Sequence, residues 1–236
     1  MRRVSDFLYR MNVEGSQEVQ ESLLDFIEKN HEKLLPNEIV KDIRNFCARK
    51  PMAVLEKVAS FLEKNPSKEE LKKFRMSIKA SFNRTVEYAA SFFKSKKILT
   101  LSNSKTLFQV FLKAKPLFVF VLESRPGGEG KVLVQSLQKE GIRAEVIDDL
   151  LAYKILKKVD LCAVGADYVD ESGNVLNKIG SSVLAVLCRE LKKPFLVIAD
   201  PYKFGSRALE DTDVFEVVPS YLITAIITDP EGGTTC

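Results

Sequence analysis

From residue 97 onward the sequence alternates short apolar runs with segments of helical periodicity. Runs of this length that are rich in Val, Ile, Leu and Phe are typical of strands buried on both faces of a sheet. Strands that alternate with helices predict a parallel sheet with right-handed crossover connections. We predict six strands, at Ile98–Leu101, Leu117–Leu122, Ala144–Ile147, Leu161–Val164, Phe195–Ile198 and Phe215–Val218.

The first part of the chain has helical periodicity only. Apolar residues recur at intervals of three and four, as in Val54, Val58 and Phe61. Ser67 and Glu70 form a capping-box pattern, which predicts a helix from Glu69 to about Phe93. The predicted fold class is therefore α/β, with a Rossmann-like parallel sheet domain over residues 95–236 preceded by a smaller helical domain over residues 1–94.

Composition and charge narrow the choice of partners. Hydrophobic residues make up 45% of the 236 residues and charged residues 29%, values that are ordinary for a soluble globular protein. No apolar stretch has the length of a membrane span, so we predict a cytoplasmic protein without membrane contact. Residues 1–97 hold 20 Lys and Arg against 14 Asp and Glu, but the two signs interleave and no aromatic–basic patch accompanies them. This pattern argues against a nucleic-acid partner.

The sequence lacks the patterns of metal and cofactor sites. The four cysteines form no CxxC pair, and the single histidine, His31, lies in a Lys- and Glu-rich segment that predicts a solvated surface position. We interpret Cys162 and Cys188 as small buried hydrophobic residues. The glycine-rich segment at residues 127–130 lacks both the Lys-Ser/Thr of a P-loop and the spacing of a dinucleotide fingerprint. We therefore predict neither a metal nor a cofactor.

Polar residues follow each of the first five predicted strands. Open parallel sheets bind ligands at the carboxyl ends of their strands, so this recurrence predicts a site built from several loops. Asp167 follows the strand Leu161–Val164, and Asn177 and Lys178 precede a segment of helical periodicity. The start of that helix would favour an anion.

Four motifs occur in the order and spacing of one family. They are Glu123-Ser124-Arg125-Pro126 with Gly130, Gly165-Ala166-Asp167, Asn177-Lys178-Ile179-Gly180-Ser181 and Pro219-Ser220-Tyr221-Leu222-Ile223-Thr224. Over residues 95–230 the chain resembles the superfamily that unites the alpha, beta and delta regulatory subunits of translation initiation factor 2B with two sugar-phosphate isomerases. The isomerases act on methylthioribose-1-phosphate and on ribose-1,5-bisphosphate. The resemblance is weaker over the helical part.

The resemblance implies a catalytic pair and shows that one member differs here. These isomerases convert an aldose phosphate to its ketose with a carboxyl group that shuttles a proton and a cysteine across the substrate. Asp167 stands at the position of the family's aspartate, but Ser102 stands at that of the cysteine. A serine hydroxyl does not ionise near neutral pH without an adjacent base.

Other family positions also depart from the isomerase pattern. Glu14-Gly15-Ser16 replaces an Arg-Gly-Ala phosphate-contacting motif, and Lys50-Pro51-Met52-Ala53 replaces Arg-Pro-Thr-Ala. Lys50, or the neighbouring Arg49, would then be the phosphate contact, although a lysine lacks the bidentate fork of arginine. A glutamine-glycine pair becomes Glu129-Gly130. The residues that remain intact are Arg125, Asp167, Asn177 and Lys178.

The intact residues are coherent as a binding site. Lys178 and Arg125 would neutralise a phosphate, Asn177 would bond a sugar hydroxyl, and Asp167 would accept from another hydroxyl. In the alternative interpretation, residues 177–180 simply form the loop between a strand and a helix, with Asp167 accepting from N–H groups of that loop.

We favour a regulatory-subunit-like protein that keeps a phosphosugar- or nucleotide-sized pocket without isomerase chemistry, and hence a binding protein over an enzyme. One alternative is an aldose–ketose sugar-phosphate isomerase, an intramolecular oxidoreductase, that uses Asp167. The other is a structural assembly subunit without a small ligand. The resemblance further implies a homodimer, or an oligomer built from dimers, with residues 219–227 near the joint. Burial in a last core strand and helix would explain the apolar character of that region equally well.

Overall fold

The structure, a computed structural model, describes residues 4–10, 15–30 and 36–231. Its helices are α1 (Val4–Arg10), α2 (Ser16–Asn30), α3 (Pro36–Arg49), α4 (Ala53–Leu62), α5 (Lys68–Ala90), α6 (Lys105–Ala114), α7 (Gly130–Lys139), α8 (Ala152–Leu156) and α9 (Ser181–Glu190). Its strands are β1 (Lys97–Leu101), β2 (Phe118–Leu122), β3 (Ala144–Ile147), β4 (Leu161–Val164), β5 (Tyr168–Val169), β6 (Val175–Lys178), β7 (Phe195–Ile198), β8 (Phe215–Val218) and β9 (Ala225–Ile227). Helices thus precede the strands, as the sequence predicts.

Six strands form one parallel sheet in the order β3-β2-β1-β4-β7-β9. When only these six strands are numbered in chain order, their order in the sheet is 3-2-1-4-5-6. This is the strand order of a doubly wound sheet. The chain progresses outward from β1 in one direction and from β4 in the other. The order therefore reverses between β1 and β4, and such a switch point leaves a crevice at the carboxyl ends of the strands.

Both faces of this sheet are covered by helices. Side chains alternate along each strand, so Ile98 of β1 packs in the cluster that contains α5, α6 and α7. The next residue, Leu99, packs on the opposite face in the cluster that contains α8 and α9. Burial on both faces explains why the strands read as continuous apolar runs. The predicted α/β fold class is confirmed.

The strand Phe215–Val218 is not the last strand of the parallel sheet, and that part of the prediction is wrong. As β8 it pairs antiparallel with β6 in a separate sheet of order β5-β6-β8. The sixth parallel strand is Ala225–Ile227. Only Phe215 and Val218 of β8 are buried. An apolar run of four residues predicts a strand but does not specify its partner or its direction.

Helix α5 connects the helical part to the sheet. Its predicted capping box is confirmed, because the Glu70 N–H donates to Ser67 Oγ (3.2 Å) and the Ser67 N–H donates to Glu70 Oε2 (2.7 Å). Leu71 packs in the core of the N-terminal helices, whereas Val86 packs against the sheet. One helix therefore belongs to both cores, and the domain boundary between residues 94 and 95 stays a prediction.

Cys47, Cys162 and Cys188 are buried free thiols, which confirms the interpretation of Cys162 and Cys188. His31 and Cys236 lie outside the described residues. Among the described residues, no three His, Cys, Asp or Glu side chains are grouped so that they could hold a metal ion. No helix in that part of the chain is long and apolar enough to cross a bilayer.

Candidate functional site

A cavity of about 170 Å³ lies at the switch point between β1 and β4. Its walls come from residues 101–106 at and after the end of β1, residues 165–167 after β4 and residues 15–18 at the start of α2. Asn177 and Lys178 of β6 complete the lining, together with Glu129, Lys203, Val214 and Phe215. Four of the predicted site residues therefore share one cavity, namely Ser102, Asp167, Asn177 and Lys178.

Asp167 is a buried carboxylate at the start of helix α2. The N–H of Ser16, the first residue of that helix, donates to Asp167 Oδ1 over 2.8 Å. The first N–H groups of a helix have no partner within it, and the helix dipole favours a negative charge at this end. Asp167 therefore holds the N-terminal helices against the sheet while its carboxylate faces the cavity.

Lys203 is absent from the predicted site residues, yet it is the most deeply buried cation of the cavity. Its side chain lies in a turn after β7, the residue as a whole is 2% exposed, and Nζ donates to Ser16 Oγ. Among the described residues no carboxylate lies within ion-pairing distance of this ammonium. Lysines are rarely buried to this degree unless they are paired. The available signal was its place after a buried strand, three residues beyond Asp200.

Lys178 is paired with a carboxylate inside the cavity. Its Nζ lies 2.8 Å from Glu129 Oε1, and the two side chains are only 13% and 25% exposed. The second oxygen, Glu129 Oε2, is buried and has no hydrogen-bond partner within the described ranges. The residue after Glu129 is Gly130, whose backbone packs closely against the end of β2. A Cβ there would lie 2.0 Å from the Leu122 carbonyl oxygen, so only glycine fits. The charge predicted to bind phosphate is thus largely neutralised by the protein.

Asn177 and Lys178 belong to strand β6, which contradicts the alternative interpretation that residues 177–180 simply form a loop. The Asn177 amide donates from Nδ2 to Ser181 Oγ (2.9 Å), and the Ser181 hydroxyl donates to the Lys178 carbonyl oxygen (2.6 Å). This network fixes the Asn177 side chain at the cavity wall.

Backbone N–H groups at the start of helix α9 are already paired with a carboxylate of the protein. The N–H groups of Gly180 and Ser182 donate to Glu216 Oε1 over 2.7 and 2.8 Å. Glu216 lies on β8 directly opposite Asn177 of β6. The anion predicted at this helix start is therefore a side chain of the protein itself, and residues 179–182 do not line the cavity.

Ser102 lines the cavity in a left-handed backbone conformation, with φ of 61°. Its N–H donates to Ser124 Oγ (2.6 Å), and the Ser124 N–H donates to Asp149 Oδ1 (2.8 Å). Left-handed φ values of non-glycine residues are uncommon and cluster at functional sites. In the described part of the chain, no side chain hydrogen-bonds the Ser102 hydroxyl, so nothing there acts as its base.

The remaining predicted residues lie outside the cavity lining. Arg125 is exposed and its Nη2 lies 3.0 Å from Glu123 Oε1. Arg49 is exposed at the end of α3. Lys50 is buried with Nζ 4.9 Å from the centre of the Phe215 ring, and Phe215 itself lines the cavity. Lys50 therefore lies behind the wall, where cation–π attraction holds it.

Two of the described thiols, Cys47 and Cys162, are hard to ionise because they are buried. Burial, followed by the charge of Glu56, raises the pKa of Cys47 to about 12. Burial, followed by the hydrogen bond and the charge of Cys188, raises the pKa of Cys162 well above its ordinary value. None of the three described cysteines lines the cavity.

The charges that line the cavity balance within the described ranges. They comprise three lysines and three carboxylates, Lys105, Lys178, Lys203, Glu18, Glu129 and Asp167. Lys105 Nζ lies 3.6 Å from Glu18 Oε2, and Lys178 is paired with Glu129. Only the Lys203 ammonium lacks a carboxylate at ion-pairing distance among these residues. Glu14, predicted to repel a phosphate, lies outside the described residues.

Comparison with known proteins places this geometry in a family context. The model of the Initiation factor 2 subunit family matches residues 9–220. A ribose 1,5-bisphosphate isomerase of Archaeoglobus fulgidus is 34% identical over 137 residues, which cover 53% of this chain and 44% of that protein. A putative translation initiation factor eIF-2B subunit 2-like protein of Pyrococcus furiosus is 39% identical over 114 residues, covering 47% and 41%. Each match spans less than half of the relative's length.

The fold is shared with a solved structure over nearly its whole length. The crystal structure of the translation initiation factor eIF-2B of Pyrococcus horikoshii OT3 matches with a TM-score of 0.83, covering 97% of this chain and 96% of that chain. The sequence identity is 24%. Identity at this level shows the fold alone, and it agrees with the parallel sheet and its helices described above.

Proposed function

The chain belongs to the Initiation factor 2 subunit family, and from that premise we propose that it is a regulatory-subunit-like binding protein. It holds a small phosphorylated ligand in the cavity between β1 and β4 and does not isomerise it. The observation that carries this proposal is the buried Lys203 ammonium, which meets Ser16 and no described carboxylate.

Ser16 and Lys203 supply the chemistry that a phosphate requires. An ammonium and a hydroxyl both donate hydrogen bonds, and burial strengthens a charge-assisted hydrogen bond to an anion. Asn177 offers an amide to a sugar hydroxyl, and Asp167 offers a carboxylate oxygen as an acceptor. A phosphorylated sugar would thus complete the pairing of Lys203 while its hydroxyls meet polar groups on the other walls.

The size of the cavity favours a sugar phosphate over a nucleotide. Sites for drug-sized ligands usually enclose roughly 300–1,000 Å³, whereas this cavity has about 170 Å³. A pentose phosphate lacks the base of a nucleotide and is correspondingly smaller. We therefore narrow the predicted ligand class to sugar phosphates.

The absence of a suitable thiol argues against isomerisation. Ser102 stands at the position of the family's cysteine, and among the described residues no thiol lines the cavity. A serine hydroxyl without a base does not supply the ionised group that proton transfer needs. The carboxylate of Asp167 is already engaged by the Ser16 N–H.

Thermal unfolding in the presence of ribose 5-phosphate, ribose 1,5-bisphosphate, methylthioribose-1-phosphate and AMP tests the proposal. A ligand that binds only the folded state raises the melting temperature. We expect at least one sugar phosphate to raise it, AMP to have no effect, and Lys203→Met to abolish the shift. Chromatography of each mixture should show unchanged aldose phosphate.

Lys157→Met is a matched control, since Lys157 is exposed and packs over the Tyr153 ring away from the cavity. It should retain the full ligand-induced shift. If no sugar phosphate stabilises the wild-type protein, the binding proposal is wrong and an assembly subunit without a small ligand is the better interpretation.

One observation favours an aldose–ketose isomerase as a second candidate. Asp167 is buried, lines the cavity and lies at the switch point where α/β enzymes place their chemistry. Under this hypothesis the product analysis reveals a ketose phosphate, and Asp167→Asn removes it. Accumulation of ketose by the wild-type protein would replace the binding proposal.

We further propose that the chain forms a homodimer through an apolar patch, defined as Leu150, Val183, Val186 and Tyr221. All four side chains are exposed. Val183 and Val186 lie on α9, which packs against the turn at residues 220–222 that contains Tyr221 and against α8. Leu150 lies in the turn at residues 149–151, which contacts α8. Single exposed apolar residues are ordinary, but a group of them on adjoining elements marks an interaction surface.

A further inference from the structure

Glu129 places a negative charge on the cavity wall directly beside the ammonium of Lys178. We propose that Glu129 is a specificity-determining residue: it restricts the cavity to sugars with a single phosphoryl group by excluding a second one at Lys178. This inference rests on the proposed sugar-phosphate binding and names the subclass of ligand.

The first step of the argument is the pairing of Lys178. Its ammonium lies 2.8 Å from Glu129 Oε1, and both side chains are mostly withdrawn from water. A second phosphoryl group that approached this ammonium would also approach the carboxylate. Like charges at such separations repel more strongly away from bulk water, because the effective dielectric constant is lower.

The carboxylate is also held in place and only partly compensated. Its oxygens pack over the backbone of Gly127, where an added Cβ would lie 2.2 Å from Glu129 Oε1. Oε2 is buried without a hydrogen-bond partner in the described residues. The wall therefore keeps an unpartnered carboxylate oxygen even with Lys178 beside Glu129, and a second phosphoryl group that approaches the ammonium also approaches this oxygen.

The part of the lining formed by Lys203 and Ser16 differs from the wall at Lys178 and Glu129. Lys203 and Ser16 present an ammonium and a hydroxyl, and no described carboxylate pairs with that ammonium. A single phosphoryl group is accommodated there. At the wall formed by Asn177, Lys178 and Glu129, an uncharged hydroxyl can donate or accept, so that wall suits the sugar.

Titration calorimetry with ribose 5-phosphate and ribose 1,5-bisphosphate tests this assignment. We expect the wild-type protein to bind the monophosphate more tightly. Glu129→Gln removes the charge with little change in shape, so it should raise the affinity for the bisphosphate about tenfold or more. Its affinity for the monophosphate should change less than about threefold.

Two further variants locate the effect. Glu18→Gln removes a carboxylate of the same cavity that is paired with Lys105 instead of Lys178, and it should leave the ratio of the two affinities unchanged. Adding Lys178→Gln to Glu129→Gln should abolish the gain, because the second phosphoryl group then has no cation to meet. A gain that survives without Lys178, or that Glu18→Gln reproduces, overturns the assignment.

If Glu129→Gln does not fold, the affinities of the wild-type protein alone still test the role of Glu129. Binding of the bisphosphate at least as tightly as the monophosphate contradicts the role given to Glu129 but leaves sugar-phosphate binding intact. Failure of the wild-type protein to bind either sugar instead overturns the proposed function and this inference with it. The two failures are therefore distinguishable.

Discussion

Ser16 contacts two residues of the candidate site through two different atoms. Its N–H donates to Asp167, 151 positions away, and its hydroxyl accepts from Lys203, 187 positions away. Asp167 could be predicted because it ends an apolar run, and that signal is local. Ser16 carries no such signal, and the position of Lys203 after a buried strand does not reveal that it meets Ser16. Periodicity reports which face of an element is buried and not which distant residues meet there.

At the level of single residues, Asp167→Ala tests the connection between α2 and the sheet. The substitution leaves the Ser16 N–H without an acceptor, so we expect it to lower the free energy of unfolding by about 1–2 kcal/mol. Asp167→Asn keeps an acceptor oxygen and should lose less than half as much. Urea unfolding at pH 7 measures both variants. Equal losses for the two would show that the hydrogen bond to Ser16 contributes little.

At the level of elements, the sequence predicted most of the parallel strands but not the small antiparallel sheet. Strands β1, β4 and β7 are buried on both faces and read as apolar runs. Strand β5 has two residues and β6 combines two apolar with two polar residues, too few to display a period. The pairing of β6 with β8 also brings Glu216 to the start of α9, so the prediction of a free helix terminus failed for the same reason.

The contact between α5 and the end of β9 gives the stability a defined dependence on pH. Asp229 accepts from Arg84 Nε (2.9 Å) and from Ser81 Oγ (3.2 Å), and the hydrogen bond from Arg84 holds the pKa of this carboxyl below its usual range. A lowered native pKa stabilises the fold above the unfolded-state value of about 3.9. That contribution is lost as the pH falls from there through the native pKa.

We therefore expect Asp229→Asn to lower the free energy of unfolding by about 1.5–3 kcal/mol at pH 7, the usual contribution of hydrogen bonds to charged groups. The difference between variant and wild type should shrink as the pH falls below about 4. Urea unfolding at a series of pH values between 7 and 3 measures this difference. A difference that is constant over the series would mean that the charge of Asp229 does not matter.

At the level of the whole molecule, the two faces of the parallel sheet are both covered, but their outer surfaces differ. On one side, helix α9 and the turns at residues 149–151 and 220–222 carry the apolar patch. The interpretation of residues 219–227 was left open between core and interface, and the structure divides them: Leu222 and Ile227 are buried, whereas Tyr221 is exposed. Apolar sequence character alone does not separate these two environments, because core and interface both remove apolar surface from water.

Val186→Glu tests the proposed homodimer. Val186 is 52% exposed at the centre of α9, so a glutamate there leaves the core of the monomer intact and places a charge in each copy of a shared surface.

Val132→Glu is the matched control, since Val132 is 50% exposed on α7, on the opposite side of the sheet. Sedimentation equilibrium at micromolar concentration should give a dimer for the wild type and for Val132→Glu, and a monomer for Val186→Glu. Burying one unpaired carboxylate from each copy in an apolar contact opposes association strongly. A monomeric wild type, or a dimer that Val186→Glu leaves intact, would remove the patch from the proposed interface.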